Sequence, residues 1–201
     1  MKAGIGRAAI LALAALAAGC AGPGVNVRPG AEITRFHLGN NPARGEIAVE
    51  PLDPALRGSF EFARFSAAVE RQLAALGWRV VQGGRSEQVA LVRVEQSARE
   101  ASRGGSGFSI GIGGGTYGRN VGIGGGVTLP VGGSRPGQIV VTELGVRLQR
   151  RSDGTAIWEG RAQSEAAGGT AQAVRTNAVD RLAAALFQGF PGESGRTIRV
   201  P

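Results

Sequence analysis

One cysteine and one histidine, Cys20 and His37, are the residues of this chain with the most obvious chemical potential. Cys20 ends the run Ala17-Ala18-Gly19-Cys20, which follows a basic start and an apolar stretch. A lone thiol in an oxidising compartment has no partner within the chain for a disulfide. Cys20 is therefore not expected to form a disulfide within this chain.

The first 19 residues have the organisation of a secretory signal. Lys2 and Arg7 form a basic start, and the apolar run 8–18 is shorter than the roughly 20 residues that span a bilayer. The end of the run resembles the bacterial lipobox, in which the cysteine becomes the first mature residue and carries acyl chains. This resemblance, together with the absence of a disulfide partner, predicts lipid attachment at Cys20. More than one acyl chain gives stable anchoring. Because Ala21 and not Asp follows Cys20, we expect the outer membrane, facing the periplasm. A soluble periplasmic protein is the alternative.

His37 could act as a general base, but its surroundings in the sequence favour a strand end. No cysteine nucleophile remains once Cys20 is lipidated, and a histidine-based metal site would need further ligands. Glu50 and Asp53 are close in sequence, yet Pro51 and Pro54 indicate a turn. We therefore predict no catalytic residue, no metal and no cofactor, with a hydrolase as the least favoured alternative.

A glycine-dense segment, residues 108–131, repeats GIGGG at 111–115 and 122–126. Residues 113–118 match G-x-G-x-x-G, but a phosphate loop must open a helix, and the second glycine cluster prevents one. Aliphatic residues alternate with glycine at strand period on both sides of Tyr117–Asn120. The segment therefore predicts a long β-hairpin with one glycine face; a low-complexity loop is the alternative. Tyr117 and Arg119, at the predicted tip, are the candidate contacts for an envelope protein partner.

The balance of charge is basic, with 23 Lys and Arg against 15 Asp and Glu. These arginines are interspersed with acids, as at Glu70-Arg71 and Arg99-Glu100, and no basic run occurs. With an export signal as well, nucleic acid is excluded as a partner. Attraction to anionic lipid head groups fits the composition better.

The remaining pattern predicts an α+β fold, in which two helices pack on one face of an antiparallel or mixed sheet. The first helix runs from an N-cap at Ser59 to Leu76, and a second runs from Thr170 to Gln188. The sequence predicts strands at 33–38, 46–52, 78–81, 88–95, 138–150 and 155–164. Residues 20–31 read as a tether, 32–190 as one domain and 191–201 as a loose tail.

The lipobox, the block IAVEPLDPALRGSFEFARFSAAVERQLAALGWRVV, the paired GIGGG arms and the late IWEG together resemble a family of bacterial lipoproteins, the domain of unknown function DUF4136. The resemblance implies an envelope lipoprotein with an α+β domain. It implies no established activity and no catalytic residues. We therefore expect a non-enzymatic interaction or structural module; a carrier or sensor of a lipid or other amphiphile is the alternative.

Overall fold

The computed structural model describes residues 25–39, 42–101 and 137–201. The predicted glycine-rich hairpin at 108–131 lies outside these residues. The described chain forms a seven-stranded mixed sheet with two helices, which confirms the predicted α+β class. The elements are β1 (Ala31–His37), β2 (Glu46–Pro51), α1 (Phe60–Ala75), β3 (Arg79–Val80), β4 (Gln88–Glu100), β5 (Gln138–Arg150), β6 (Ala156–Ala167), α2 (Arg175–Phe187) and β7 (Thr197–Val200).

The strands are ordered β3-β2-β4-β5-β6-β1-β7 across the sheet. β2 runs parallel to both β3 and β4, and α1 makes the crossover between β2 and β3. All the other pairs are antiparallel. The longest pair joins β4 to β5 from Gln88 opposite Arg150 to Glu100 opposite Gln138.

The sequence of α1 specifies both of its ends. The Ser59 hydroxyl accepts a hydrogen bond from the Phe62 amide at 3.0 Å, and Glu61 lies in the first turn. The buried stripe of α1 recurs at helical spacing and includes Phe62, Phe65, Val69 and Leu73. Gly77 follows with φ of 96°, the left-handed conformation that ends helices.

Both helices pack on the same face of the sheet and share one apolar core. Trp158 on β6 is buried, and its ring lies across Gly160 of the same strand. A Cβ atom at Gly160 would come within 2.3 Å of that ring and within 2.8 Å of Leu186 on α2. The absence of a side chain at Gly160 therefore lets the indole and α2 approach the strand closely.

Arg35 is a charged side chain of β1 that is only 5% exposed. Its Nε donates to the carbonyl oxygen of Leu186 at 2.9 Å, and its Nη2 donates to those of Ala185 at 3.1 Å and Gln188 at 2.8 Å. Burial lowers the pKa of the guanidinium from its ordinary value, because desolvation penalises the charged form. The cation thus satisfies the last carbonyls of α2 and lies at the negative end of the helix dipole.

Three sequence predictions need correction. The second helix was predicted to start at Thr170, but Thr170 precedes a short 3-10 helix at Ala171–Ala173, and α2 begins only at Arg175, after the exposed Val174. The predicted loose tail contains β7, which pairs with β1. β4 extends to Glu100, although polar residues from Gln96 onward predicted a linker.

We predict that Arg35→Met lowers the free energy of unfolding by about 2–4 kcal/mol, because three α2 carbonyls lose their charged donor while the apolar stem is retained. Urea denaturation followed by circular dichroism measures the change. The control is Arg196→Met, which removes an exposed arginine of the tail 191–201. It should change the free energy of unfolding by less than about 0.5 kcal/mol. Equal effects of the two variants would contradict the capping role.

Candidate functional site

A groove of about 710 Å³ opens beside the carboxyl end of β2. β3 pairs with β2 only at Glu46 and Ile47, so the sheet narrows where β2 continues. The groove is bounded by three parts of the chain: β2, the start of α1, and the turn after β3. Its lining includes Ala48, Val49, Pro51, Gly58, Ser59, Phe60, Ala63, Val81, Gly83 and Gly84.

Four charged residues line the groove, namely Glu50, Arg57, Glu70 and Arg151. Glu50 accepts a hydrogen bond from Arg151 Nη2 at 2.7 Å, and its other oxygen lies 3.7 Å from Arg57 Nη2. Arg151 is also held by a bond from its Nε to the carbonyl oxygen of Ser86 at 3.0 Å. Arg57 is the more exposed and more loosely held cation of the two.

An aromatic ring stands at the mouth of the groove. Phe60, the first residue of α1, is 94% exposed, and Leu56 nearby is also exposed. The lining joins apolar side chains such as Val49 and Phe62 to arginines and carboxylates, a combination that suits a ligand with a hydrocarbon part and a polar part.

Three residues singled out from the sequence, Cys20, Tyr117 and Arg119, lie outside the described residues. The structure does place the two ends of the segment that contains Tyr117 and Arg119. Glu100 and Gln138 are cross-strand partners, and the Ala101 amide donates to the carbonyl oxygen of Gly137 at 3.0 Å. The segment between them therefore begins and ends at neighbouring points of one antiparallel pair.

His37 lies at the end of β1, as predicted, and both of its ring nitrogens are engaged. Nδ1 accepts from the Gly39 amide at 3.1 Å, so Nε2 carries the proton and donates to the Gly192 carbonyl oxygen at 3.0 Å. The strand order places His37 on β1, away from the β2–β3 groove. The geometry gives His37 the role of tying the tail 192–195 to β1, together with Ser194.

Residues 107–111, Gly-Phe-Ser-Ile-Gly, match the G-x-S-x-G pattern of a serine nucleophile. The match lies outside the described residues, and the single histidine of the chain is bonded at both ring nitrogens as described above. Repetitive glycine makes such a match easy to obtain by chance. It does not by itself indicate an acyl-transfer site.

Sequence reasoning identified Asp53 correctly as a turn residue, since its Oδ1 accepts from the Ala55 amide at 3.0 Å. It missed the groove, because Glu50, Arg57 and Arg151 are brought together from three separate parts of the chain. An available signal was Phe60, a large apolar residue at the first helical position, outside the buried stripe. Within residues 25–39, 42–101 and 137–201, no group of three potential metal ligands occurs, and no helix is long and apolar enough to span a membrane.

Comparison with known proteins gives a family and one curated relative. A family model described as a domain of unknown function, DUF4136, matches residues 47–192. An uncharacterized protein of Zymomonas mobilis subsp. mobilis is 34% identical over 210 aligned residues, covering 84% of this chain and 79% of the relative.

Two solved structures are similar to part of this fold. A PelC dodecamer from Paraburkholderia phytofirmans is 11% identical with a TM-score of 0.39, over 77% of this chain and 92% of that chain. A PDZ domain protein from Parabacteroides distasonis is 10% identical with a TM-score of 0.45, over 84% of this chain and 38% of that chain. Values this low transfer no function.

Proposed function

This chain belongs to the DUF4136 family, and from that premise we propose that it is a lipid-anchored, non-enzymatic interaction module of the bacterial outer membrane, facing the periplasm. The observation that carries the proposal is Cys20, the single cysteine, at the end of an export signal that resembles a lipobox. Two or more acyl chains at Cys20 would hold the domain at the membrane stably.

The position of the tether is compatible with this role. Residues 25–30 lead from the region of Cys20 to Ala31, where β1 enters the sheet between β6 and β7. The groove and the β4–β5 pair belong to other parts of the sheet. An anchored domain would therefore keep these surfaces available to a second molecule.

The proposed partner contact is the glycine-rich segment, with Tyr117 and Arg119 at its centre. Its support is the antiparallel pair of Glu100 and Gln138, because a segment that leaves and returns at paired strands is well suited to continue as a hairpin. An aromatic and a cation together are typical anchors of protein interfaces.

We predict that the full chain, expressed in a bacterial host fed with labelled palmitate, incorporates the label and fractionates with the outer membrane. Cys20→Ser should abolish incorporation, because it removes the only thiol. Ser97→Ala is the matched control, because it alters an exposed serine-sized side chain far from the signal in sequence. Label that persists in Cys20→Ser would exclude this residue as the attachment site.

We also predict that the anchored protein captures a defined set of envelope proteins by chemical cross-linking, and that deletion of residues 108–131 removes that set. The double variant Tyr117→Ala/Arg119→Ala should reduce capture at least tenfold if these two side chains are the anchors. Quantitative mass spectrometry of the cross-linked material measures the loss.

The control for this experiment is Phe60→Ala/Arg64→Ala, which removes an exposed aromatic and an exposed cation from α1. It should leave capture unchanged. If the deletion leaves the captured set unchanged, the role of the glycine-rich segment is wrong; if the α1 control loses it, the contact lies at the groove.

A second candidate function, carrier or sensor of an amphiphile, is favoured by the groove itself. Apolar residues that line it, such as the exposed Phe60, and charged residues such as Arg57 suit the two parts of such a ligand. The space between the sheet and the helices is occupied by core side chains of both helices, so the groove is the place for such a ligand.

For this function we predict that Gly84→Trp excludes a bound lipid seen by native mass spectrometry, because the new ring would extend into the groove. Gly45→Trp is the matched control: neither glycine has a positive φ, a Cβ at either position meets no atom within 4 Å, and only Gly84 lines the groove. A protein that is always empty, or one that retains lipid equally in both variants, would contradict the carrier function.

A further inference from the structure

Within residues 25–39, 42–101 and 137–201, the second half of β4 has a free edge. β2 ends at Pro51, opposite Val92, and the last bond on that side joins the Leu52 amide to the Val92 carbonyl oxygen at 2.9 Å. From Arg93 to Glu100, β4 is paired with β5 on one side only among the residues that the structure describes. A strand edge of this length presents unpaired backbone groups to a further strand.

The direction of the Val92 carbonyl fixes which backbone groups point outward. Along a strand these groups alternate, so the even-numbered residues after Val92 direct their N–H and C=O groups to the free edge. These residues are Val94, Gln96, Ala98 and Glu100. The odd-numbered residues direct theirs to β5, as Ala101 does when its amide donates to the carbonyl oxygen of Gly137.

The side chains beside this edge carry an ordered set of charges on the sheet face opposite the helices. Glu95 is 60% exposed and Arg99 is 43% exposed, and the exposed Ser97 lies midway between them. Each charge already has one intramolecular partner, Arg93 at 2.7 Å for Glu95 and Glu165 at 3.1 Å for Arg99. Glu95, Ser97 and Arg99 occupy alternate positions. When two copies of this segment run antiparallel, each glutamate can therefore lie opposite an arginine.

We propose that the free edge of β4 pairs antiparallel with the same edge of a second copy of this chain, with Ser97 opposite Ser97 across a two-fold axis. Val94 would then lie opposite Glu100 of the second copy, and Gln96 opposite Ala98. Each hydrogen-bonded pair exchanges two bonds, so four such pairs give roughly eight backbone bonds. The two sheets would become one continuous sheet through the interface.

Charge selects this register over its neighbours. With Ser97 on the axis, Glu95 faces Arg99 of the second copy twice, once on each side of the axis. A shift by one hydrogen-bonded pair in one direction puts Arg93 opposite Arg99, and two such shifts put Glu95 opposite Glu95. Opposite charges across a strand pair stabilise it and like charges destabilise it.

The free edge of β4 is distinct from the lipid anchor and from the glycine-rich segment of the proposed function. The test of this pairing depends on neither of them.

The test uses the full chain with Cys20→Ser, purified in mild detergent, with Ser97→Cys as its only thiol. Residues opposite each other in a non-hydrogen-bonded pair have Cα atoms about 4.5 Å apart, within the range that a disulfide spans. Mild oxidation should convert most of the protein to a covalent dimer on a non-reducing gel. Ser152→Cys, exposed at the β5–β6 turn, is the control and should give little dimer.

Charge reversal provides an independent readout. Glu95→Arg or Arg99→Glu alone should raise the dimer dissociation constant about tenfold or more in sedimentation experiments, because each places like charges opposite each other twice. The double variant Glu95→Arg/Arg99→Glu should restore the wild-type value to within about threefold.

The proposal is overturned if Ser97→Cys forms no more covalent dimer than Ser152→Cys. It is also overturned if the wild-type protein is monomeric and another segment of its own chain covers the β4 edge. A double variant that binds no better than the single variants would also overturn the assigned register.

Discussion

The buried guanidinium of Arg35 joins the sheet, the last helix and the chain terminus at one point. The guanidinium can be buried there only when α2 is folded. Its three hydrogen bonds go to carbonyl oxygens that are brought together only at the end of that helix. The backbone follows the same constraint: the Arg35 carbonyl oxygen accepts from the Gly195 amide at 2.8 Å, and a Cβ at Gly192 would come within 2.6 Å of the Arg35 side chain. A buried cation without acceptors costs several kcal/mol, so the α2 terminus and the tail must be in place together.

Packing around this point depends on aromatic residues. Trp158 stacks on Phe187 at 5.4 Å and contacts Phe190 at 5.2 Å, while its Nε1 donates to the Pro191 carbonyl oxygen at 3.0 Å. Phe190 also meets Trp78 edge to face at 5.4 Å, which connects the tail to the end of α1. Polar contacts and aromatic contacts therefore both hold the tail in place. The residues after it form β7, which pairs with β1.

Features that are local in sequence could be predicted, and features that arise from distant contacts could not. The caps and stripe of α1, and the buried even-numbered positions of β5 from Val140 to Leu148, specify those elements within their own residues. The start of α2 was misjudged because Thr170 lies before the 3-10 helix and makes no side-chain cap. β7 and the extension of β4 are polar strands, and each forms because a neighbouring strand supplies hydrogen-bond partners that the sequence does not show locally. The groove was missed for the same reason, since its charged residues meet only in the folded chain.

Steps in strand length account for both the groove and the free edge. β4 has 13 residues, its neighbour β2 has 6 and the edge strand β3 has 2. Each strand towards this edge of the sheet is therefore shorter than the one before it, and part of its neighbour is left unpaired among the described residues. Beyond the first step, β2 and the start of α1 border the groove; beyond the second, β4 presents Arg93–Glu100. The sheet face opposite the helices carries cross-strand ion pairs such as Arg147–Glu159 at 2.6 Å and Arg199–Glu32 at 3.0 Å, so these charges already have partners within the chain. Recognition by this domain is therefore expected where its strands end and at the glycine-rich segment, and not on its broad charged face.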